Sequence, residues 1–560
     1  MDLLGTEIDV TTLRGRRAVN RWERTSVGDV FERLTWSYPE KVAITGCPGA
    51  FADERFRSVT YRRADEAANQ VAHALAAAGL EPGARVLLFC ENSVEAYLAK
   101  IGIAKAGMVA MPLNPNLATD VLEHLIGQVQ PGLAIVDAEL WPRAEAAFTS
   151  TGLRVGATIT IGGAAVAGSP SFTDFLAAQP TTEPDVEIHG DDIWQLLHTS
   201  GTTAMPKGVM ISHSSSHLAA LNFSVSLSRG VRLECDLRVA TFLPVIYHVG
   251  DQIFTFSAFL AGGSLVLGRR PIPADVVAAV ETEKVTALWA GSPQFVGAIA
   301  AEAESAGRDV SSMSVLVLGW GALAPAVYES LRKQAGDDLV VLGIFGQTES
   351  IACHRFWPAK WSEVYERTAP AVNYVGVPSP LLAADVVDEV GESLRDQTGV
   401  PGEAVYRSPI VTAGYYLNED ATREAFRGGW FHSGDSAAVD DDGLWIMVDR
   451  FKDIVKSGGE NVSSIRVETA LYGHPAVERA AVIGLPHDHW GEAVTAVIVL
   501  RQGAEATADE LIAHCRERLG GYETPKAIVF ADFLPETVGG KVLKYKLRDE
   551  HDSLFTGPAA

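Results

Sequence analysis

Short apolar segments alternate along the chain with longer segments whose apolar residues recur every three or four positions. The segments "DEAANQVAHALAAAG" (65–79) and "SVEAYLAKIGIAKAG" (93–107) have this helical spacing, and each ends at a glycine. The segments "ARVLLFC" (84–90) and "MVAMPLN" (108–114) are short apolar runs of the length of buried strands. Because strands that alternate with helices of this length are typical of parallel sheets, the pattern predicts an α/β fold.

The same alternation returns at "GGSLVLG", "VTALWAG", "SVLVLGWG" and "DLVVLGIFG", and it changes near residue 449. There "DRFKDIVKSGGENVSS" is charged, polar and rich in glycine, and strands and helices then resume. A chain of 560 residues also exceeds the size of a single hydrophobic core. We therefore predict a large N-terminal domain of several subdomains with mostly parallel sheets (1–448), a hinge (449–453) and a small, mobile α+β C-terminal domain (454–560).

The overall charge limits the classes of partner. The formal net charge is −24, which repels nucleic acid and anionic lipid, so we expect neither as a partner.

No run of about 18 apolar residues occurs, which predicts no membrane-spanning helix. The five cysteines are widely spaced without a CxxC pair, which argues against a disulfide framework or a zinc site. We expect a cytoplasmic protein; its oligomeric state stays open.

The segment "LLHTSGTTAMPKGVMISH" (196–213) is a candidate phosphate-binding loop. Its hydroxyl groups and backbone N–H groups can donate to phosphate oxygens, and its lysine adds a mobile positive charge. It does not match the Walker A pattern, because proline precedes the lysine and glycine follows it. We predict a buried strand before the loop and a helix that begins in "GVMISHSSSHLAALNFS". A polar surface turn is the alternative interpretation.

Five segments occur in the order that one family uses: "TSGTTAMPKGV", "FGQTES", "GYYLNEDATREAF", "GWFHSGD" and "LPETVGGKVLKYKLR". With them the chain resembles the adenylate-forming superfamily of acyl-CoA synthetases, peptide-synthetase adenylation domains and luciferases. The resemblance implies that ATP activates a carboxylic acid to an acyl-adenylate with release of pyrophosphate. The acyl group then passes to the thiol of coenzyme A, giving acyl-CoA and AMP.

The resemblance also implies roles for individual residues. Lys207, Glu349 and Lys541 would be catalytic, with Glu349 as the Mg²⁺ ligand and Lys541 bridging the acid carboxylate and the α-phosphate. Asp435 would accept hydrogen bonds from the ribose. The implied ATP and AMP contacts are Thr199, Ser200, Gly201, Thr202, Thr203, Lys207, Gly321, Ala322, Gln347, Thr348, Asp435, Arg450 and Lys541.

Further residues concern the acid and the thiol. Amino-acid adenylators carry an aspartate where "TFLPVIYHVGD" (241–251) has Tyr247 and His248, so we predict an acid without an α-amino group. The implied acyl pocket contains His248, Trp320 and Gly346. His248 is either a pocket wall or a packed core histidine, and Trp320 either shortens the pocket or is structural. Lys452 would be the hinge, and Gly458 and Gly459 would line the coenzyme A tunnel.

The sequence departs from the family pattern at two places and leaves three alternatives. Ala204 replaces the usual glycine after the paired threonines, and "TVG" precedes the lysine motif near the C-terminus. The alternatives are a ligase that loads a carrier-protein thiol, an enzyme that performs mainly the adenylation half-reaction, and a non-catalytic nucleotide-binding protein. The identity of the acid is not fixed by the sequence.

Overall fold

The computed structural model describes residues 25–199, 205–228, 232–248, 250–536 and 542–555, apart from the side chains of Ala352 and Cys353. Five residues of the predicted nucleotide site lie outside these ranges: Ser200, Gly201, Thr202, Thr203 and Lys541. Their roles therefore stay predictions.

Helices in the described ranges often begin after a serine or threonine whose side chain accepts a backbone N–H, as Ser93 does from Ala96. No described helix is long and apolar enough to cross a membrane. The α-helices α1 to α16 are, in order, Val27–Ser37, Tyr61–Ala77, Val94–Lys105, Thr119–Val129, Trp141–Thr151, Phe172–Leu176, His213–Leu227, Phe256–Leu260, Pro273–Glu283, Pro293–Ala306, Pro325–Ala335, Ser362–Thr368, Glu419–Ala425, Ser464–Tyr472, Ala508–Arg516 and Lys544–His551.

The strands are short and mostly buried. Strands β1 to β24 are, in order, Val42–Gly46, Ser58–Thr60, Arg85–Phe89, Val109–Pro112, Leu133–Asp137, Val155–Ile159, Ile193–His198, Gly208–Ser212, Arg238–Thr241, Ser264–Leu267, Ala287–Gly291, Val315–Leu318, Val340–Gln347, Ser350–Phe356, Tyr374–Pro378, Ala383–Val387, Gly402–Arg407, Phe431–Val439, Trp445–Arg450, Val455–Ser457, Glu460–Val462, Val477–His487, Gly491–Leu500 and Ala527–Phe530.

Two large sheets form the part of the chain before residue 451. The six-stranded sheet has the order β6-β5-β3-β4-β7-β8 and is parallel except for the β7–β8 pair. The thirteen-stranded sheet is parallel from β1 through β10, β9, β11 and β12 to β13. From β14 to β19 its pairings are antiparallel. The predicted α/β class is confirmed, and the parallel strands form one continuous block in each sheet.

A separate sheet of five strands, β20 to β24, lies wholly after residue 454. Its long pair β22–β23 is antiparallel, and β24 adds to β23 in parallel. Helices α14 and α15 cover one side, where Val467, Leu471 and Leu511 join a core with the sheet. This arrangement is the α+β organisation expected for the C-terminal part.

The predicted helix after the phosphate loop begins later than expected. Residues 208–212 form strand β8, and helix α7 starts at His213. Val209 and Ile211 alternate with more exposed neighbours and are buried, which suits a strand in the sheet. Ser212 then caps the helix by accepting the N–H of Ser215. The predicted helix is therefore confirmed from His213 onward, and the short strand before it was not predicted.

Candidate functional site

The phosphate-loop candidate connects two antiparallel strands, β7 and β8, whose ends pair at His198 and Gly208. The backbone N–H of Thr199 donates to the carbonyl of Lys207 at 3.0 Å. In return, the N–H of Lys207 donates to the Thr199 hydroxyl at 3.3 Å. These bonds fix both ends of the loop, so Thr199 and Lys207 lie opposite each other at its base.

The segment 412–416 runs beside β8 and brings a tyrosine to the loop. The N–H of Met210 donates to the carbonyl of Gly414 at 3.0 Å, and the N–H of Tyr416 donates to that of Gly208 at 2.8 Å. The Lys207 ammonium lies over the ring of Tyr415, with its nitrogen 4.8 Å from the ring centroid. A cation in this position is attracted by the electron-rich ring face, so Tyr415 holds the loop lysine.

Glu349 is a buried carboxylate between β13 and β14, with 8% of its surface exposed. The Tyr415 hydroxyl donates to its Oε1 at 2.9 Å, and the N–H of Thr412 donates to its backbone carbonyl at 2.7 Å. Burial, followed by the negative charge of Glu349, raises the pKa of the Tyr415 hydroxyl. Tyr415 therefore stays protonated and keeps donating to the carboxylate, while its ring contacts Lys207.

A second buried carboxylate, Asp435, lies close by on β18. It is 1% exposed and faces Arg450 across the β18–β19 pair, where Arg450 Nε is 3.1 Å from Asp435 Oδ1. Gln347 donates from Nε2 to Asp435 Oδ2 at 3.3 Å and to the carbonyl of Ser433 at 3.2 Å. Because Gln347 is two residues from Glu349, one short segment connects the two carboxylates.

Gly321 and Ala322 line a recess together with Gly343, Tyr365 and Tyr374. The recess is next to the strand that carries Gln347. Gly346, in the same strand, is exposed and lies where the β13–β14 register shifts between Phe345 and Gln347. Thr348 is half-buried in the turn that follows. The five predicted residues thus lie at or just after the C-terminal ends of the neighbouring strands β12 and β13.

Trp320 and His248, predicted for the acyl pocket, are in contact. Their ring centroids are 6.2 Å apart in an edge-to-face arrangement, and the Trp320 ring lies 5.7 Å from that of Trp289. Trp320 is 47% exposed and has a φ of 64°, a left-handed backbone conformation that costs a bulky residue about 1 kcal/mol or more. A Cβ on Gly291 would come within 2.7 Å of the Trp320 ring, so glycine at 291 makes room for this indole.

Lys452, the predicted hinge residue, is the third residue of a turn in which the N–H of Asp453 donates to the carbonyl of Arg450 at 2.8 Å. Burial, followed by the charge of Arg450, lowers its pKa to about 8. From helix α16, Arg548 donates to the carbonyl of Lys452 at 3.1 Å and pairs with Asp453 at 2.8 Å. The C-terminal helix is thereby attached to the predicted hinge.

Gly458 and Gly459 form the tight turn between β20 and β21. Their φ values of 63° and 88° are conformations that only glycine adopts easily, and a two-residue hairpin turn with both values positive requires them. Gly458 also donates its N–H to the carbonyl of Trp490 at 2.8 Å, and a Cβ there would lie 3.1 Å from the indole. The backbone can therefore lie directly against Trp490.

The structure thus brings two groups of predicted residues together, Lys207 with Glu349 and Gln347 with Asp435 and Arg450. The connecting residue, Tyr415, was missed as a site residue, although it lies in the quoted "GYYLNED" segment. The sequence signal that could have found it is the pair of adjacent tyrosines, of which Tyr415 is buried.

Glu349 also fits the role of a magnesium ligand. No cluster of three or more histidine, cysteine, aspartate or glutamate side chains that could hold a metal ion exists within the described ranges. Mg²⁺ does not need one, because it is usually bound by one or two carboxylates together with substrate phosphates and water. A buried carboxylate beside a phosphate-loop lysine provides this donor set.

Comparison with known proteins matches the family model of the AMP-binding enzyme to residues 31–416 and that of the AMP-binding enzyme C-terminal domain to residues 466–541. A feruloyl-CoA synthase from Amycolatopsis is 35% identical over 494 residues, 88% of this chain and 94% of that protein. A long-chain-fatty-acid–CoA ligase from Thermus thermophilus is 32% identical over 507 residues, 89% of this chain and 91% of that protein. Among solved structures, an anthranilate CoA ligase with anthranoyl-AMP covers 94% of this chain and 97% of its own, with a TM-score of 0.81 and 26% identity.

Proposed function

Because the chain belongs to the family of AMP-binding enzymes, we propose that it is an AMP-forming acid–thiol ligase. It activates a carboxylic acid with ATP to an acyl-adenylate, releases pyrophosphate, and transfers the acyl group to the thiol of coenzyme A. ATP, the acid and coenzyme A are its substrates, and AMP and acyl-CoA leave as products.

The observation that supports this function most directly is the pair of buried carboxylates that the segment 347–349 connects. Glu349 lies with Tyr415 beside the phosphate-loop lysine. Gln347, two residues before Glu349, donates to Asp435, which pairs with Arg450. We infer that Glu349 would face the phosphates and Asp435 the ribose. A nucleotide bound between the two carboxylates would have its phosphates near Glu349 and its ribose near Asp435.

Activation requires the acid carboxylate to attack the α-phosphorus, so two anions must approach each other. Positive charge and oriented N–H groups at the developing charge lower this barrier. The loop based on Thr199 and Lys207 would hold the β- and γ-phosphates, which leave as pyrophosphate. Asp435 would fix the ribose, and Lys541 would neutralise the charge that builds on the α-phosphate. Correct placement of the reactants supplies much of the remaining acceleration.

Glu349 would hold Mg²⁺ beside these phosphates, and the cation would supply further neutralisation of their charge. The chain's own contribution is to keep this carboxylate oriented, because Tyr415 donates to one of its oxygens. In the second half-reaction the C-terminal domain would rotate about residues 449–453. Gly458 and Gly459 would then line the path of the coenzyme A thiol.

For the acid, we propose a flat carboxylic acid without an α-amino group. Tyr247 and His248 stand where an amino-acid adenylator has an aspartate, and neither offers a negative charge to an ammonium group. Trp320 and His248 present aromatic surfaces at the predicted acyl pocket. Two of the compared proteins are named for aromatic acids, ferulic and anthranilic, which supports the same class here.

The test of the function is a product analysis with ATP, Mg²⁺ and a panel of carboxylic acids. We expect AMP and pyrophosphate, with acyl-CoA formed when coenzyme A is added. ADP and phosphate as products would contradict the proposal. A pantetheinyl carrier protein offered in place of coenzyme A identifies the acceptor, because a carrier-loading ligase would transfer to it preferentially.

Replacing Trp320 with glycine should change the selectivity for the acid. Glycine accepts the φ of 64° without strain and removes the indole from the pocket, so longer and bulkier acids gain room. We expect kcat/KM for a bulky acid relative to a compact one to rise by roughly tenfold, the scale of a change in one apolar pocket contact. The measurement is pyrophosphate release across acids of graded size. An unchanged acid profile would assign Trp320 to packing alone.

A further inference from the structure

A row of aromatic side chains leads from the exposed Trp320 into the protein. Trp320 contacts Trp289, which stacks on Phe254 with the ring centroids 4.3 Å apart. Phe254 meets Phe223 of helix α7 edge-on at 5.8 Å. The row ends at Arg355 on β14, whose guanidinium carbon lies 4.9 Å from the centroid of the Phe223 ring. The inner end of an apolar row is thus occupied by a cation.

Arg355 differs from the other buried cations of the described ranges. Lys100 pairs with Asp251 at 2.6 Å, and Lys105 pairs with Asp65 at 2.7 Å. Arg355 is 6% exposed, and the described part of the chain offers it no carboxylate within ion-pair distance. Its hydrogen bonds go to neutral oxygens, the Ser226 hydroxyl at 2.8 Å and the carbonyl of Asn222 at 3.3 Å.

The guanidinium nevertheless remains charged. Burial lowers the pKa of Arg355 to about 10, which is still well above neutral pH. Its Nε is buried without a hydrogen-bond partner among the described residues. A buried cation is normally paired, and an unused donor in a buried position is costly to leave unsatisfied. The site therefore has both a positive charge and a free donor available to an anionic or oxygen-bearing group.

We propose that Arg355 is a specificity residue that receives an oxygen acceptor, a second carboxylate in the strongest case, at the end of the acid remote from the carboxylate that is activated. This assignment rests on the proposed function, and it narrows the substrate class to acids that carry polar oxygen at both ends. The aromatic row connects Arg355 with Trp320 at the predicted acyl pocket. Charge-assisted hydrogen bonds to guanidinium are strong and oriented, so the effect appears mainly in binding of the acid.

A purely structural role is the alternative, because Arg355 also lies near the C-terminal end of helix α7, where a cation is favourable. The two roles differ in what a substitution changes. A structural arginine affects all acids alike through stability, whereas a specificity residue affects only acids that carry the remote acceptor.

The experiment compares two acids of matched shape, 4-carboxycinnamic acid and 4-methylcinnamic acid, by pyrophosphate release. The wild type should prefer the carboxylated acid by tenfold or more in kcat/KM. Arg355→Met keeps an unbranched side chain but has no hydrogen-bond donor. It should remove the preference by raising KM for the carboxylated acid, while kcat for the methylated acid stays unchanged. Arg355→Lys should restore part of it. Ser226→Ala is the matched control, since it removes a partner of Arg355 and leaves the charge, and it should keep the preference.

Either of two results would overturn the assignment. The wild type could have the higher kcat/KM for the methylated acid, or Arg355→Met could lower kcat/KM equally for both acids. Calorimetric binding of each acid without ATP separates this inference from the function itself. If no acid leads to pyrophosphate release from ATP, the proposed function fails. Tighter binding of the carboxylated acid to the wild type than to Arg355→Met would still support the role of Arg355 in binding the acid. Equal binding of the carboxylated acid to the wild type and to Arg355→Met would refute the role of Arg355.

Discussion

Replacing Glu349 with glutamine should lower the rate of pyrophosphate release by about a hundredfold to a thousandfold, the usual cost of removing one preorganised electrostatic group from an active site. Glutamine keeps the size of the side chain, and its amide oxygen can still accept from the Tyr415 hydroxyl. Only the negative charge is lost, and this charge is what Mg²⁺ requires. The rate should therefore recover partly when the Mg²⁺ concentration is raised.

Tyr415→Phe is the matched control for this variant. It removes the hydroxyl that donates to Glu349 and keeps the ring that contacts Lys207. The loss of one hydrogen bond to a charged group costs about 1.5–3 kcal/mol, so a smaller decrease in rate is expected. Both variants should melt as cooperatively as the wild type. A Glu349→Gln variant that stays within tenfold of the wild type at limiting Mg²⁺ would remove Glu349 from the metal site.

Much of the fold follows from periodicity. The helical spacing of residues 65–79 and 93–107 corresponds to α2 and α3, and the apolar runs between and after them are β3 and β4. These elements bury one or more faces against neighbouring elements, so the spacing of apolar residues in the sequence predicts them. Strand β8 was not predicted, because five residues are too few for periodicity to separate a strand from the start of a helix.

The candidate site was predicted less from periodicity than from the family resemblance of its motifs. The spacing of "FGQTES" places Gln347 and Glu349 on one segment, and the structure adds that Gln347 donates to Asp435, which pairs with Arg450. Tyr415 and Arg355 could not be found in this way. Their positions depend on which strands and helices become neighbours, since Tyr415 reaches Glu349 across 66 residues and Arg355 reaches Ser226 across 129.

Replacing Lys541 with alanine should separate the two half-reactions. A cation near the α-phosphate stabilises the charge that builds during adenylation, and only interactions that are stronger in the transition state accelerate a step. We expect pyrophosphate release to lose about 3 kcal/mol of transition-state stabilisation or more, roughly a hundredfold in rate. Thioester formation from synthetic acyl-adenylate and coenzyme A should stay near the wild-type rate, because the C-terminal domain is expected to have carried Lys541 away from the phosphate before the thiol attacks and AMP leaves.

The lysines of this C-terminal tail offer a control for general effects of charge. Lys544 is an anchor, because it pairs with Glu468 at 2.7 Å and donates to the Ser464 hydroxyl at 2.5 Å. Lys546 is exposed on the same helix, α16. Lys546→Ala should therefore leave both half-reactions unchanged, whereas Lys544→Ala should destabilise the C-terminal domain.

The contacts of Lys544 explain why the two half-reactions should separate, because they attach this segment to the C-terminal domain. Lys541 lies three residues before it, so a C-terminal domain that rotates must carry Lys541 with it, towards ATP for adenylation and away for thiol transfer. The measurement is pyrophosphate release and thioester formation, assayed separately for Lys541→Ala, Lys546→Ala and the wild type. If Lys541→Ala loses both activities equally while it stays folded, both steps depend on one arrangement of the domains, and rotation about residues 449–453 is not part of the mechanism.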